Sequence, residues 1–469
     1  MAPPVADISS FIASTREVVH IRDVDMILII RPNKIQHLNR TAYDILDALY
    51  NRGEEPGEAA TRIAGAYGVP PADVRRDMTG LLESIAAIMD EEYARAPLIS
   101  LIEFDPGSLA LPVLSEIAVT YRCQNRCDFC YASSPYRGRE GNEMTLDQVR
   151  TVIGKIWNEA RVPTISFTGG EPTLRNDLPE MVRCAAETGM RVNLITNGIR
   201  CADRGFVRAL GEAGLKSAQV SLESHRADIH DDITGNPGAH GKTLRGIENL
   251  RDEGIYTHTN TTICVKNRDH LKGLVSFIKK AFDFPYLSMN MIITTGTARD
   301  HEENRIGYSS IGEIIDPVID HCEVLGIRFV WYSPTPYCIF NPVDRNLGSK
   351  SCACISGLLS VSPTGEVLPC SSYERGVGNL LKHSFEHIWN SDQALYWRER
   401  RYVPPVCRKC EYETLCGGAC PLYWEHAGSF EEIEAVRMRK PALRNLAWDI
   451  ERRLRVRTKG VPGLTTERG

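Results

Sequence analysis

The chain has 469 residues, 42% hydrophobic and 25% charged, an ordinary globular balance with room for two to four domains. A formal net charge of -5 gives no footprint for nucleic acid, and no apolar run approaches the roughly 18 residues of a membrane span. Fifteen cysteines behind a start without the basic and apolar blocks of a secretory signal point away from disulfides, toward metal or catalysis in the cytoplasm.

In chain order, Val18–Val24, Met26–Ile30 and Lys34–Leu38 read as short strands. A first helix places Ala42, Ile45, Leu46 and Leu49 on one face behind the cap candidates Asn39 and Thr41. A second runs from Glu58 to Tyr67 and stops at Gly68; a third follows Pro70-Pro71 and buries Val74, Met78, Leu81, Leu82 and Ile85. Three strands and three helices make a small winged-helix-like unit. Ala94 to Pro112, broken by Pro97, Pro106, Gly107 and Pro112, reads as a linker.

Leu114–Thr120 is a buried strand that delivers Cys123-x3-Cys127-x2-Cys130. Thr145-Leu-Asp-Gln148 is a capping box with Met144 and Val149 as its staple, opening a helix with Val149, Val152, Ile153, Ile156 and Trp157 on its apolar face. Strands follow at Thr164–Thr168, Arg191–Thr196, Ser217–Leu222, Tyr256–Val265 and Leu287–Ile293, with helices between them at Leu178–Thr188, Lys242–Glu253 and Leu271–Phe282. Six strands with crossover helices predict an α/β protein built on a partial (β/α)6 barrel. Such barrels keep their chemistry at the C-terminal ends of the strands. A helix at Ile311–Leu325 and a strand at Ile327–Trp331 come next. Phe430–Leu454 reads as a last helix with Leu443, Leu446, Ala447 and Ile450 on one face, and the basic run from Arg452 to Lys459 as a solvated tail. The expected domains are 15–92 (winged-helix-like), 93–112 (linker), 113–330 (barrel), 331–428 (cysteine-rich) and 429–469 (helix and tail).

Eleven of the fifteen cysteines fall in two groups, three at 123–130 and eight at 338–420, leaving Cys184, Cys201, Cys264 and Cys322 as ordinary thiols. Soft thiolates suit iron–sulfur clusters. Three of them on one tight loop leave one iron of a four-iron cluster open, a zinc site being the alternative. After the second barrel strand, Gly169 and Gly170 let the backbone approach a ligand and Glu171, before Pro172, can pair with an ammonium group. Asn197-Gly198 ends the third strand and is also read as a plain tight turn; Ser221 and Glu223 end the fourth. The second cysteine group holds Cys338, Cys352, Cys354, Cys370 and Cys407-x2-Cys410-x5-Cys416-x3-Cys420.

With Phe129 before its last cysteine, the CxxxCxxC loop followed by Gly169-Gly170-Glu171-Pro172 resembles the radical S-adenosylmethionine (radical SAM) superfamily. The resemblance implies that Cys123, Cys127 and Cys130 hold a 4Fe-4S cluster whose open iron is chelated by S-adenosylmethionine. The glycine segment would hold the cofactor's amino group, Ser221 and Glu223 would touch its ribose or carboxylate, and Asn197 is counted among the cofactor-binding residues. Glu223 departs from the Asp that is common there. The implied chemistry is reductive cleavage of the cofactor to methionine and a 5′-deoxyadenosyl radical, which abstracts hydrogen from the substrate. The array from Cys354 through Gly365 and Cys370 to Cys420 resembles the SPASM extension, which carries auxiliary iron–sulfur clusters. Cys354, Cys370 and Cys420 would serve the first, with Cys352 or Cys338 as fourth ligand, and Cys407, Cys410 and Cys416 the second. No cysteine follows Cys420 to complete the second set. An open iron, His426 or a spare cysteine would stand there. The run from His37 to Leu49 resembles the peptide chaperone of pyrroloquinoline-quinone biosynthesis, and thus leader-peptide recognition elements.

The reading that joins these parts is a maturase that oxidatively modifies a ribosomal precursor peptide by a cross-link, a thioether or a decarboxylation. It would hold the leader on its N-terminal domain and draw electrons from a flavodoxin or ferredoxin. A radical SAM enzyme acting on a small molecule, such as a tetrapyrrole side chain, is the alternative. A zinc-binding adaptor explains the CxxC pairs but not Gly169-Gly170-Glu171-Pro172 on a repeating β/α frame.

Overall fold

The continuous apolar run at Met26–Ile30 becomes intelligible once its surroundings are known. In the computed structural model, which describes residue 5 and residues 7–31, 34–90, 109–138 and 141–438, β1 (Val19–Arg22), β2 (Ile27–Ile30) and β3 (Lys34–His37) form an antiparallel meander in that order. Every residue of β2 is buried. Leu28 and Ile30 face the N-terminal core, whereas Ile27 and Ile29 pack on Leu109 and Val113 just ahead of the barrel. A strand covered on both faces cannot alternate.

Helices at Arg40–Leu46, Pro56–Tyr67 and Pro71–Met89 close this unit. Asn39, not Thr41, caps the first by accepting from Ala42 N at 2.8 Å, and Gly68 ends the second in the left-handed conformation (φ 67°). Leu81 is only half-buried, unlike Val74, Met78, Leu82 and Ile85. A further helix, Ile8–Thr15, precedes the sheet and is capped by Asp7, which accepts from Ser10 N at 2.7 Å. Ile8, Phe11 and Ile12 stand at i, i+3 and i+4, a helical period only eight residues long that the sequence reading omits.

A buried side chain ties this unit to the segment just ahead of the barrel. Arg22 is fully buried, grips Asp25 through Nε (2.9 Å) and Nη2 (2.7 Å), and donates to the carbonyls of Pro112 (2.6 Å) and Leu111 (2.9 Å). Arg22→Ala leaves a buried carboxylate and two carbonyls without their cation. It is expected to cost about 3–5 kcal/mol and to speed proteolysis between residues 90 and 114, which limited trypsin digestion measures.

The larger sheet begins with β4 (Leu114–Thr120) and continues through β5 (Thr164–Gly169), β6 (Arg191–Thr196), β7 (Leu215–Ser221), β8 (Tyr256–Ile263) and β9 (Tyr286–Met291), all parallel and in sequence order. The capping box forms as read, Thr145 and Gln148 each bonding the other's backbone N–H. The sheet runs past these six strands. β10 (Arg328–Trp331) adds parallel to β9, and β11 (Leu358–Val361), from the cysteine-rich region, adds parallel to β4. β12 (Glu366–Leu368) and β13 (Gly378–Asn379) follow antiparallel, making an open ten-stranded sheet. The cysteine-rich region is thus built onto the barrel's first strand, which brings its thiols to the same cavity. A last described helix spans Glu431–Met438; Leu443, Leu446, Ala447, Ile450 and the basic run lie outside the described residues, as does most of the predicted linker. Among the described residues no helix is long and apolar enough to cross a membrane.

Candidate active site

The loop after β4 holds its three cysteines through contacts from three other segments. Thr297, in the loop after β9, accepts from Cys130 N at 2.8 Å and donates to the Cys127 carbonyl at 2.9 Å. Arg126 N donates to Thr234 O at 2.8 Å, and Asn236 Nδ2 to Asn125 Oδ1 at 2.7 Å. Gly296 has a positive φ of 58°, and a Cβ there would strike the Cys130 carbonyl. Thr297 and Gly296 carry no motif of their own, so only the fold reveals their part. Phe129 packs on Ile233, Cys264, Ile292 and Ala298 and also borders the cavity. Burial raises the Cys127 thiol well above its ordinary value and lifts Cys123 to about 12, neighbouring Glu171 adding to the latter. These are neutral thiols until a metal displaces their protons.

The glycine segment abuts this loop. Gly170 N donates to Thr120 O and Glu171 N to Arg122 O, both at 2.8 Å. A Cβ on Gly170 would lie 2.5 Å from the carbonyl oxygens of Tyr121 and Arg122. Glu171 itself turns inward. It is fully buried, one oxygen accepting from Thr173 N (3.1 Å), Thr173 Oγ1 (2.6 Å) and Thr196 Oγ1 (2.7 Å), the other from Asn197 N (2.7 Å). Four donors leave it as a clamp between β5 and β6, and the cavity wall here is Gly169 and Gly170. Glu171→Ala strands those donors and is expected to destabilise the chain by on the order of 3 kcal/mol, read from urea unfolding. Asn197 reaches Cys123 Sγ through Nδ2 at 3.8 Å and receives Gln124 Nε2 at 3.2 Å, so it does more than turn the chain.

Glu223 lies beyond β7 with Thr262 N donating to it at 2.8 Å. Burial pushes its carboxyl up to about 8. The folded, cofactor-free chain therefore retains a proton that the unfolded chain gives up near 4.5. That contribution is complete below the unfolded value and is lost as pH rises through about 8. The unfolding free energy of the unsubstituted chain is expected to fall more steeply between pH 5 and 8 than that of Glu223→Gln, as urea titrations across that range would show.

One cavity of about 1620 Å³ joins these parts. It exceeds the roughly 300–1,000 Å³ that a drug-sized ligand fills, which leaves room for S-adenosylmethionine beside a substrate. Cys123, Cys127 and Cys130 line it, and so do Cys352, Cys354, Cys370 and Cys420. Cys352 and Cys354 lie Sγ to Sγ at 3.1 Å, Cys354 also bonds Cys370, and Cys420 feels the charges of Cys352 and Cys370. These four thiols are neighbours, and Cys338 is not among the residues that line the cavity. Hydrogen bonding from Cys354 lowers the Cys352 thiol. Among the described residues no group of three or more metal-binding side chains closes around a single ion. The inward strand faces are polar, with Asn260 Nδ2 bonding Asn290 Oδ1 at 2.8 Å and Tyr286 OH meeting His258 Nδ1 at 2.9 Å. The donor set and the glycine wall fit an iron–sulfur cluster with S-adenosylmethionine beside it.

The chain matches the profile of the Radical SAM superfamily over residues 117–278, an iron–sulfur cluster-binding (SPASM) domain over 352–411, and coenzyme PQQ synthesis protein D over 26–88. This chain is a radical SAM enzyme. As such it uses a 4Fe-4S cluster, S-adenosylmethionine and auxiliary iron–sulfur chemistry. The radical SAM enzyme is 27% identical to an AdoMet-dependent heme synthase of Oleidesulfovibrio alaskensis over 66% of this chain and 83% of that one. It is also 27% identical to a PqqA peptide cyclase of Bradyrhizobium diazoefficiens over 67% of this chain and 82% of that one. Among solved structures it shares the fold of Streptococcus suis SuiB bound to precursor peptide SuiA (TM-score 0.64, 13% identity, 87% of this chain, 95% of that chain). A second is anSMEcpe with bound AdoMet and Kp18Cys peptide (TM-score 0.53, 18% identity, 66% and 89%).

Proposed function

We propose that the protein is a maturase that holds the leader of a ribosomal precursor peptide on residues 15–92 and oxidatively modifies the core segment in the barrel cavity. The observation that carries this reading is the position of β3. Lys34, Ile35 and Gln36 of that strand line the same cavity as Cys123, Cys127 and Cys130. β3 stands last in the order of its sheet, and addition of a peptide strand to such a sheet is a mode in which backbone hydrogen bonds supply affinity. A peptide added there feeds directly into the reaction chamber.

In this reading Cys123, Cys127 and Cys130 hold the first cluster. Gly169, Gly170, Asn197, Ser221 and Glu223 border S-adenosylmethionine, with Glu171 and Pro172 shaping the wall and Phe129 packing behind the loop. When bound, the cluster and S-adenosylmethionine supply a carbon-centred radical that removes a hydrogen atom from the substrate. The chain's own work is placement. Thr297 fixes the cysteine loop, Glu171 ties β5 to β6, and the polar strand faces orient the peptide's amides. Cys352, Cys354, Cys370 and Cys420 would hold an auxiliary cluster in the same cavity, suited to accept the electron that the substrate radical gives up as it becomes the oxidised product. A flavodoxin or ferredoxin would reduce the first cluster, in the cytoplasm where fifteen cysteines stay reduced.

The heme synthase relatives favour a second reading, a tetrapyrrole side chain as substrate. Binding separates the two. A fluorescent precursor peptide encoded beside the gene is expected to bind the unsubstituted chain and to lose at least about tenfold in affinity to Ile35→Pro, measured by anisotropy. Equal binding by both chains counts against strand addition at β3.

A further inference from the structure

The cysteines after the barrel divide by what they face. Cys352, Cys354, Cys370 and Cys420 line the central cavity, whereas Cys338, Cys407, Cys410 and Cys416 are not part of its wall. Two segments organise this second set. In the first, Cys410 N donates to Cys407 O at 2.9 Å and Cys416 N to Tyr412 O at 2.8 Å. The second is the turn after β10. Its Tyr337 N donates to Cys416 Sγ at 3.4 Å, and Cys416 Sγ reaches the Thr335 carbonyl at 3.9 Å. The Tyr337 ring lies 6.3 Å from that of Tyr412. Cys338 is the next residue, half-buried and packed on the same apolar core as Cys407. The other candidate for the vacant position, His426, has its Nε2 on Glu302, and no cysteine follows Cys420.

We propose that Cys338 is the fourth thiolate of the second auxiliary cluster, reaching it from the barrel side of the sequence where a downstream cysteine is missing. Three thiolates from the loop and one from the turn complete the four positions of a cubane. A fully ligated cluster has no open iron, so this one carries electrons and does not bind substrate. The Tyr337 N–H on Cys416 belongs to the hydrogen bonds to sulfur that set such a cluster's potential.

The test uses the unsubstituted chain, reconstituted anaerobically and treated with N-ethylmaleimide before and after iron is stripped by a chelator, then mapped by mass spectrometry. Labelling of Cys338 is expected to rise at least fivefold on stripping, in step with Cys407, Cys410 and Cys416, while Cys184 stays unchanged. In parallel, Cys338→Ala is expected to open one iron of this cluster, seen as a shifted paramagnetic resonance spectrum with or without loss of up to about four irons and four sulfides, and Cys338→Ser to keep the full iron with a smaller shift. The proposal is overturned by equal labelling of Cys338 with and without iron, or by Cys338→Ala holding its full iron with an unchanged spectrum. If Cys338→Ala fails to fold, the labelling result decides alone. Neither readout involves a peptide or turnover, so failure here leaves the maturase reading standing, and failure of that reading leaves this one.

Discussion

Cys127→Ala is expected to abolish 5′-deoxyadenosine formation while leaving the barrel folded. The backbone is anchored on both sides of the thiol, Arg126 N to Thr234 O and the Cys127 carbonyl to Thr297, so the loop keeps its shape without the sulfur. A cluster held by only three thiolates cannot lose one and stay bound. Iron and sulfide should fall by about four each, with chromatography of the reaction showing no cofactor cleavage and circular dichroism unchanged. Cleavage at the rate of the unsubstituted chain would remove Cys127 from the site. Cys123→Ala and Cys130→Ala are expected to behave alike.

Gly169→Ala is the second large effect, and it acts through backbone rather than chemistry. Gly169 sits at φ 139°, a region that residues with a side chain rarely adopt, and an added Cβ would run into the Thr120 carbonyl. The strain alone is worth roughly 1–3 kcal/mol. Relief of the clash must move β5 from β4 just where Gly170 N bonds Thr120 O at 2.8 Å. Both the wall beside S-adenosylmethionine and the lead-in to Cys123 shift with it. The variant is expected to unfold at lower urea and to bind S-adenosylmethionine at least tenfold more weakly, by calorimetry on the reconstituted chain. Gly254→Ala, where a Cβ meets nothing within 4 Å although φ is also positive at 76°, separates strain from clash.

The motifs and the strand order were legible because each arises locally. Arg191–Thr196 and Leu271–Phe282 match the sequence reading at both ends, since their apolar periods and flanking turns are unambiguous. The cysteine loop and the glycine segment sit at strand ends because a parallel barrel puts its loops there. What stayed hidden depends on distant contacts. Nothing near Thr297 announces that it bolts a loop 167 residues away. Glu171 reads as a ligand to an ammonium group, but four donors from β6 and its own turn hold it inward. The sheet reads as six strands because β11 is only four residues long and pairs with β4 across more than 200 positions. That same pairing decides which cysteines face the cavity, so the division between the two auxiliary sets could be seen only in the fold.

The central claim is that peptide and radical chemistry meet in one cavity. Its direct test is the reduced, reconstituted chain with S-adenosylmethionine, with and without the short peptides encoded beside its gene, followed by mass spectrometry of 5′-deoxyadenosine and of each peptide. A peptide-dependent rise in 5′-deoxyadenosine, matched by a mass change in that peptide, is the expected result. Robust cofactor cleavage with every peptide unchanged, and a tetrapyrrole consumed in its place, would contradict it.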